Sequence, residues 1–197
     1  MRQILSQQQL DEGVTRLAQF IDCSKSAPPL TIIGVLNGSI VLVADLIRRL
    51  EGPLRIAMVW ASSYRGDAIT AGNLELRMDV LPDLKDQDVL VVDDIFDTGH
   101  TLQTIIKEIS TYNPIRIRTL VLLKKHGKSQ VSIAPDFIGF EIPDEFVVGY
   151  GLDFNGLWRH LPYLAALDPE DRVEDKVAIV PAERRVENDL SISEPEE

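Results

Sequence analysis

Between Val89 and Leu102 the chain reads VLVVDDIFDTGHTL: an apolar run ends in two adjacent acids, Asp93 and Asp94, then turns through Asp97, Thr98 and Gly99. If the apolar run is a buried strand and the residues after Gly99 open a helix, the free main-chain amides of that helix start form an anion site. His100, Thr101 and Leu102 would supply those amides, aided by the helix dipole and the hydroxyls of Thr98 and Thr101. Two acids at the carboxyl end of a strand have another capacity, since they accept hydrogen bonds from the vicinal hydroxyls of a ribose. Asp97, over the same crevice, is placed to accept a proton. An isolated D-T-G would be an ordinary cap and turn; the whole strand followed by D-D-x-x-D-T-G-x-T favours the phosphate-site reading.

Other chemistry-bearing residues carry little meaning alone. Asn37-Gly38-Ser39 reads as a turn and helix cap, Ser62-Ser63-Tyr64 as part of a polar loop, and Lys125 as a solvated cation at a strand end. Phe146 reads as core, and Asp153 with Arg159 as a surface ion pair. His100, His126 and His160 have no metal-ligand spacing. The single Cys23 cannot form an internal disulfide or a thiolate metal site, and it falls on the apolar face of an expected helix.

The elements that must position these residues alternate. Ser6 and Gln9 form a capping-box pattern, and Leu10, Val14, Leu17, Ala18 and Ile21 repeat at helical spacing, so a helix is expected over about 7–23. After Ser26-Ala27-Pro28-Pro29, the run Leu30 to Leu36 is β-branched and apolar, as in a strand covered on both faces. A helical pattern follows over 39–50 and another over 101–112, with strand-like runs at 54–61, 89–93, 117–123 and 146–150. This alternation implies an α/β fold, a mainly parallel central sheet flanked by helices. The polar segment 62–72, SSYRGDAITAG, is expected to be a long exposed loop.

The net charge of −11 is concentrated at one end, because residues 168–197 hold eleven acids against four bases. That balance disfavours broad nucleic-acid binding, and no apolar run is long enough for a membrane span. The expectation is a soluble cytoplasmic protein with one globular domain over 1–167. An acidic tail over 168–197 would be loosely held, with an apolar island at Val177 to Val180 able to dock it.

The Val89 to Leu102 stretch closely resembles the phosphoribosyl-pyrophosphate signature of the type I phosphoribosyltransferases, and similarity to their hypoxanthine-guanine branch extends over about 30–167. The resemblance implies a small hood over the sheet, a mobile active-site loop and transfer of a phosphoribosyl group to N9 of hypoxanthine or guanine. Gly34 to Asp45, GVLNGSIVLVAD, is similar to the family's pyrophosphate loop, which implies a cis peptide at Leu36-Asn37 and pyrophosphate contacts at Asn37 and Gly38. Ser63 and Tyr64 resemble the start of the catalytic lid. The stretch from Lys124 to Leu161, including PDFIGFEIPDEFVVGYGLDFNGLWRHL, is the most branch-specific match. It implies Lys125, Phe146 and Val147 at the purine, Arg159 at pyrophosphate, and Asp153 with Asp93 and Asp94 around Mg2+.

By the same resemblance Asp97 manages the purine N7 proton, the partners are phosphoribosyl pyrophosphate and a 6-oxopurine, and the assembly is a homodimer or homotetramer. This sequence has Asp93-Asp94 where the branch commonly has Glu-Asp, and Asn37 where many relatives have Lys. Two alternatives stay open: a xanthine-preferring or broad 6-oxopurine enzyme, and a regulator that senses phosphoribosyl pyrophosphate and binds nucleic acid.

Overall fold

The computed structural model describes residues 1–21, 28–63, 74–78 and 81–171. Six strands build the main sheet: β2 (Leu30–Leu36), β3 (Leu54–Ser63), β4 (Leu74–Arg77), β5 (Asp88–Phe96), β6 (Arg116–Lys125) and β7 (Phe137–Ile142). Their order is β4-β3-β2-β5-β6-β7, parallel throughout except for the antiparallel β3–β4 edge pair. The α/β expectation with a mainly parallel sheet therefore holds.

Helices cover both faces. Helix α1 (Gln7–Phe20) starts at the expected capping box, with Ser6 Oγ accepting from the Gln9 amide and the Ser6 amide donating to Gln9 Oε1. Together α1 and α2 (Ile40–Ile47) bury Leu10, Val14, Leu17, Leu42 and Leu46 against Ile32, Leu90, Val92 and Leu120. Helix α3 (His100–Ser110) packs Leu102, Ile105 and Ile109 on the opposite face, against Ile33, Val35, Val89, Val91 and Val121. Successive strand residues point to opposite faces, so β2 and β5 feed both cores through Ile32, Ile33 and Val35 and through Val89, Leu90, Val91 and Val92. Each large side chain so buried contributes roughly 1.5–3 kcal/mol.

A second sheet, ordered β1-β9-β8, joins β1 (Arg2–Leu5), β9 (Leu164–Ala166) and β8 (Val147–Val148). It is the small hood, and both of its pairings are antiparallel. The run over 146–150 thus contributes only a two-residue strand, and to this sheet rather than the main one. A short 3-10 turn, Pro169–Asp171, follows β9; Asp168 and Asp171 pair with the Met1 amine at 3.2 and 2.5 Å.

Several element limits differ from expectation. Strand β3 continues through Ser63, paired with Leu74, so Ser62 and Ser63 belong to the sheet and not to a loop. Strand β5 runs on through Asp94 and Ile95 to Phe96, because β6 continues to pair with it as far as Phe96↔Lys124. Helix α1 stops at Phe20 and α2 at Ile47, both short of the expected ends. Cys23, Tyr64 and the acidic segment from 172 onward, with its Val177 to Val180 island, lie outside the described residues. Among the described residues no helix is long and apolar enough to cross a membrane.

Candidate active site

Strand order places the site. From β2 the chain crosses one way to β3, and from β5 it crosses the other way to β6, with α2 and α3 on opposite faces. The loops that leave the carboxyl ends of β2 and β5 therefore diverge and open a crevice between them, the usual ligand position in such sheets. A cleft of about 290 Å³ occupies it, lined by Asn37 and Gly38 from the first loop, by Asp93 and Asp94 near the end of β5, by Asp97, Thr98 and Gly99 of the second loop, and by Thr101 and Leu102 in the first turn of α3. Asp153 and Arg159 close its side.

The loop after β5 has the form of an anion cradle. Gly99 is the N-cap of α3 at φ +90°, a left-handed conformation that glycine adopts without penalty, and no side chain caps the helix. The first intrahelical bond runs from the Gln103 amide to the Gly99 carbonyl at 3.0 Å, so the amides of 100–102 precede the helical ladder. A Cβ on Gly99 would stand 2.4 Å from Val131 Cγ2 and 2.6 Å from Phe96 Cζ, and the Gln130 amide holds the Thr98 carbonyl at 2.9 Å. The turn is thus pinned from the β6–β7 connection. The His100 ring is exposed, with Nε2 3.2 Å from Gln130 Oε1, and it does not line the cleft.

On the facing loop the Leu36–Asn37 peptide is cis, as the resemblance implied. Gly38 lies against the Asp94 carboxylate so closely that a Cβ would come within 1.5 Å of Oδ2. Ser39 anchors the loop's far side, its Oγ donating to the Val35 carbonyl at 2.6 Å.

Asp93 is 6% exposed, and its Oδ1 accepts from the Asp94 amide at 3.0 Å. Burial, with the Asp94 charge next to it, pushes the Asp93 carboxyl well above the usual carboxylate range. Burial raises Asp94 too, against hydrogen bonds from Asp93 and backbone amides and the nearby Arg159 charge, which favour its ionised form. Arg159 is held by two partners, the Gly151 carbonyl at 2.6 Å and Asp153 Oδ1 at 2.8 Å. The ion-pair reading of Asp153 and Arg159 and their place at the cleft are therefore both true.

A second cleft of about 200 Å³ adjoins the first and shares Asp94, Ile95, Asp97 and Asp153 with it. Lys125, Phe146, Val147 and Leu152 complete its lining. Lys125 is not a solvated cation: its side chain is 12% exposed, with Nζ 3.4 Å from Asp97 Oδ2 and 3.5 Å from Asp144 Oδ1. Asp144 is held in turn by Lys128 at 2.8 Å, which keeps its carboxyl below the ordinary value. Asp97 Oδ1 is buried and has no hydrogen-bond partner among the described residues. Phe146 meets Phe154 edge to face at 5.5 Å.

Sequence reasoning missed Asp144, Ile95 and Leu152. Asp144 stands two residues before Phe146, but only the fold turns it onto Lys125. Ile95 and Leu152 lie inside motifs already singled out, and nothing in their type shows that they face the cleft.

Metal capacity follows from donor chemistry. Among the described residues no three His, Cys, Asp or Glu side chains gather into a ready-made cage. Asp93, Asp94 and Asp153 instead present carboxylates along one cleft, a hard-oxygen set that suits Mg2+ shared between one or two carboxylates and a phosphate-bearing substrate.

The chain matches the phosphoribosyl transferase domain family over residues 1–155. It is 37% identical over 142 residues to a hypoxanthine-guanine phosphoribosyltransferase of Staphylococcus aureus, covering 72% of this chain and 79% of the relative. A Staphylococcus epidermidis protein of the same name is 34% identical over 167 residues, covering 85% of this chain and 93% of the relative. Among solved structures, a hypoxanthine-guanine phosphoribosyltransferase of Bacillus anthracis with a HEPES molecule in its active site superposes with TM-score 0.79 at 34% identity. That match covers 85% of this chain and 99% of the other. A crevice at the β2/β5 divergence, a glycine-started helix beside paired acids, and relatives matched along most of their length agree: this chain belongs to the type I phosphoribosyltransferases, in the hypoxanthine-guanine branch.

Proposed function

We infer that this chain is a purine-salvage enzyme that transfers the 5-phosphoribosyl group of phosphoribosyl pyrophosphate to N9 of hypoxanthine or guanine, giving IMP or GMP and pyrophosphate. One observation carries the reading. The open helix start after Gly99, the Asp93–Asp94 pair and a contiguous cleft holding Lys125 and Phe146 meet around Asp97.

In this reading the amides of 100–102, with the Thr98 and Thr101 hydroxyls, grip the 5′-phosphate. Asp93 and Asp94 accept from the ribose hydroxyls. Arg159 and the backbone at Asn37 and Gly38 face the pyrophosphate, a guanidinium being well suited to phosphate oxygens. Phe146 stacks on the purine, the Val147 backbone meets its edge, and Lys125 donates to O6. A cationic donor there favours a 6-oxo base and leaves the amino group of adenine mispaired. Asp97 Oδ1, buried without a donor among the described residues, accepts the N7 proton as N9 attacks the anomeric carbon. Asp93, Asp94 and Asp153 would hold Mg2+, which supplies charge neutralisation for the departing pyrophosphate. Catalysis then rests on positioning and charge stabilisation, with no covalent enzyme intermediate.

The reading includes Ser63 and Tyr64 as the start of a lid, a catalytic unit over 1–167, a cytoplasmic location and assembly as a homodimer or homotetramer. Its test is isothermal titration of the purified protein with phosphoribosyl pyrophosphate. Saturable binding with Mg2+ that weakens in chelator is expected; no heat of binding with the metal present would refute the site.

A further inference from the structure

The two halves of the pyrophosphate side come from distant parts of the chain, and they touch at two points. At the first, Gly151 lies directly on Gly38: a Cβ there would stand 2.0 Å from the Gly38 carbonyl oxygen, and Gly151 is at φ +102°. At the second, one residue before Gly151, Tyr150 Oη donates to Asp45 Oδ2 at 2.5 Å across 105 residues of sequence. Asp45 lies in the second turn of α2, the helix that begins immediately after the Asn37-Gly38-Ser39 loop.

Both ends of this bond are held firmly. Tyr150 is 6% exposed, its amide donates to the Leu161 carbonyl at 2.8 Å, and its φ of +49° is one that a bulky residue rarely adopts. Backbone held in such a conformation needs surrounding contacts to maintain it. The Asp45 carbonyl accepts from Arg49 Nη1 at 2.8 Å, and Arg49 also binds Thr15 Oγ1 at 3.1 Å and pairs with Asp11, so α2 is braced on α1. Burial, with the carboxylate beside it, drives the Tyr150 hydroxyl far above its usual value, so it stays a donor throughout the physiological range. Beyond Tyr150, the Gly151 carbonyl is the acceptor that aims Arg159.

We propose that Tyr150 and Asp45 are positioning residues: their hydrogen bond latches the second turn of α2 to the Gly149–Gly151 turn and so sets Arg159 and the Asn37–Gly38 backbone, which leads into that helix, in register around the pyrophosphate. This rests on the functional reading above and deepens it. Neither side chain touches substrate. The latch acts on the leaving-group half of the cleft and leaves the Lys125–Phe146 half alone.

Tyr150→Phe keeps the ring and removes only the donor, so the fold should survive. Asp45→Ala removes the acceptor, whereas Asp45→Asn keeps an acceptor oxygen while losing an exposed ion pair with Arg48 that is worth little. For each variant, steady-state kinetics would be read with titration of pyrophosphate in the presence of Mg2+. Tyr150→Phe and Asp45→Ala should each raise the KM for phosphoribosyl pyrophosphate and the Kd for pyrophosphate about tenfold, with the purine KM changed by less than about twofold. Asp45→Asn should restore most of that loss, and the double variant should be no worse than either single one.

A lowered Tm with both KM values unchanged would overturn the latch, and so would equal rises in both. A wild-type protein that binds neither phosphoribosyl pyrophosphate nor pyrophosphate would instead sink the underlying functional reading. Wild-type binding with an unaltered Tyr150→Phe sinks the latch alone.

Discussion

Gly38 and Asp94 share one small volume at the centre of the cleft, where a single methyl group on Gly38 would stand 1.5 Å from Asp94 Oδ2. Either the pyrophosphate-loop backbone or the ribose-side carboxylate must move to admit it. A displacement near 1 Å of a positioning group can cost about a hundredfold in rate. Gly38→Ala is accordingly expected to lower kcat/KM for phosphoribosyl pyrophosphate by about that factor, as steady-state kinetics would measure.

Lys125 is nearly enclosed between Asp97 and Asp144, so its ammonium has a fixed direction into the purine cleft. Lys125→Met keeps the stem and removes the donor. The kcat/KM for hypoxanthine and guanine should fall about a hundredfold, while the KM for phosphoribosyl pyrophosphate stays within about twofold. Comparing both substrates in one variant checks this, and the preference over adenine should shrink.

Asp97→Asn is nearly isosteric and replaces one proton-accepting oxygen by an amide. If Asp97 manages the N7 proton, kcat should drop by about a hundredfold or more. Binding of phosphoribosyl pyrophosphate, measured by calorimetry, should stay close to wild type.

The fold depends on pH through Asp93. Its folded-state carboxyl is raised by burial, so below the ordinary carboxylate value both folded and unfolded chains hold the proton and the contribution to stability is complete. As pH rises the unfolded chain ionises first, and stability is lost progressively until the pH passes the raised folded value. Asp93→Asn cannot ionise. In ligand-free, metal-free protein the Tm of the variant should therefore gain on wild type as pH rises from the acid range, and parallel Tm curves would exclude this linkage.

The local motifs were legible because they are local. VLVVDDIFDTGHTL contains its own strand, turn glycine and helix start, and the capping box at Ser6 and Gln9 needs only three residues of spacing. Strands β1, β8 and β9 were not legible as a sheet, since Arg2 pairs with Ala166 across nearly the whole described chain and no periodicity marks a three-residue strand. Strand β7 also went unread, as its residues Phe137–Ile142 are mostly half-buried and lack strict alternation. At the site, the same limit hid the contacts of Lys125 with Asp144 and of Tyr150 with Asp45, because each joins segments whose approach is set by packing. Lys125 and Phe146 gained a role from resemblance alone; their residue types pointed to solvent and core.

The most direct measurement is turnover of phosphoribosyl pyrophosphate with hypoxanthine, guanine, xanthine and adenine in turn, with Mg2+ present and product nucleotides resolved by chromatography. IMP or GMP should form with pyrophosphate in equal amount, and AMP should form far more slowly. Absence of both IMP and GMP from active, folded protein, or a preference for adenine, would contradict the account.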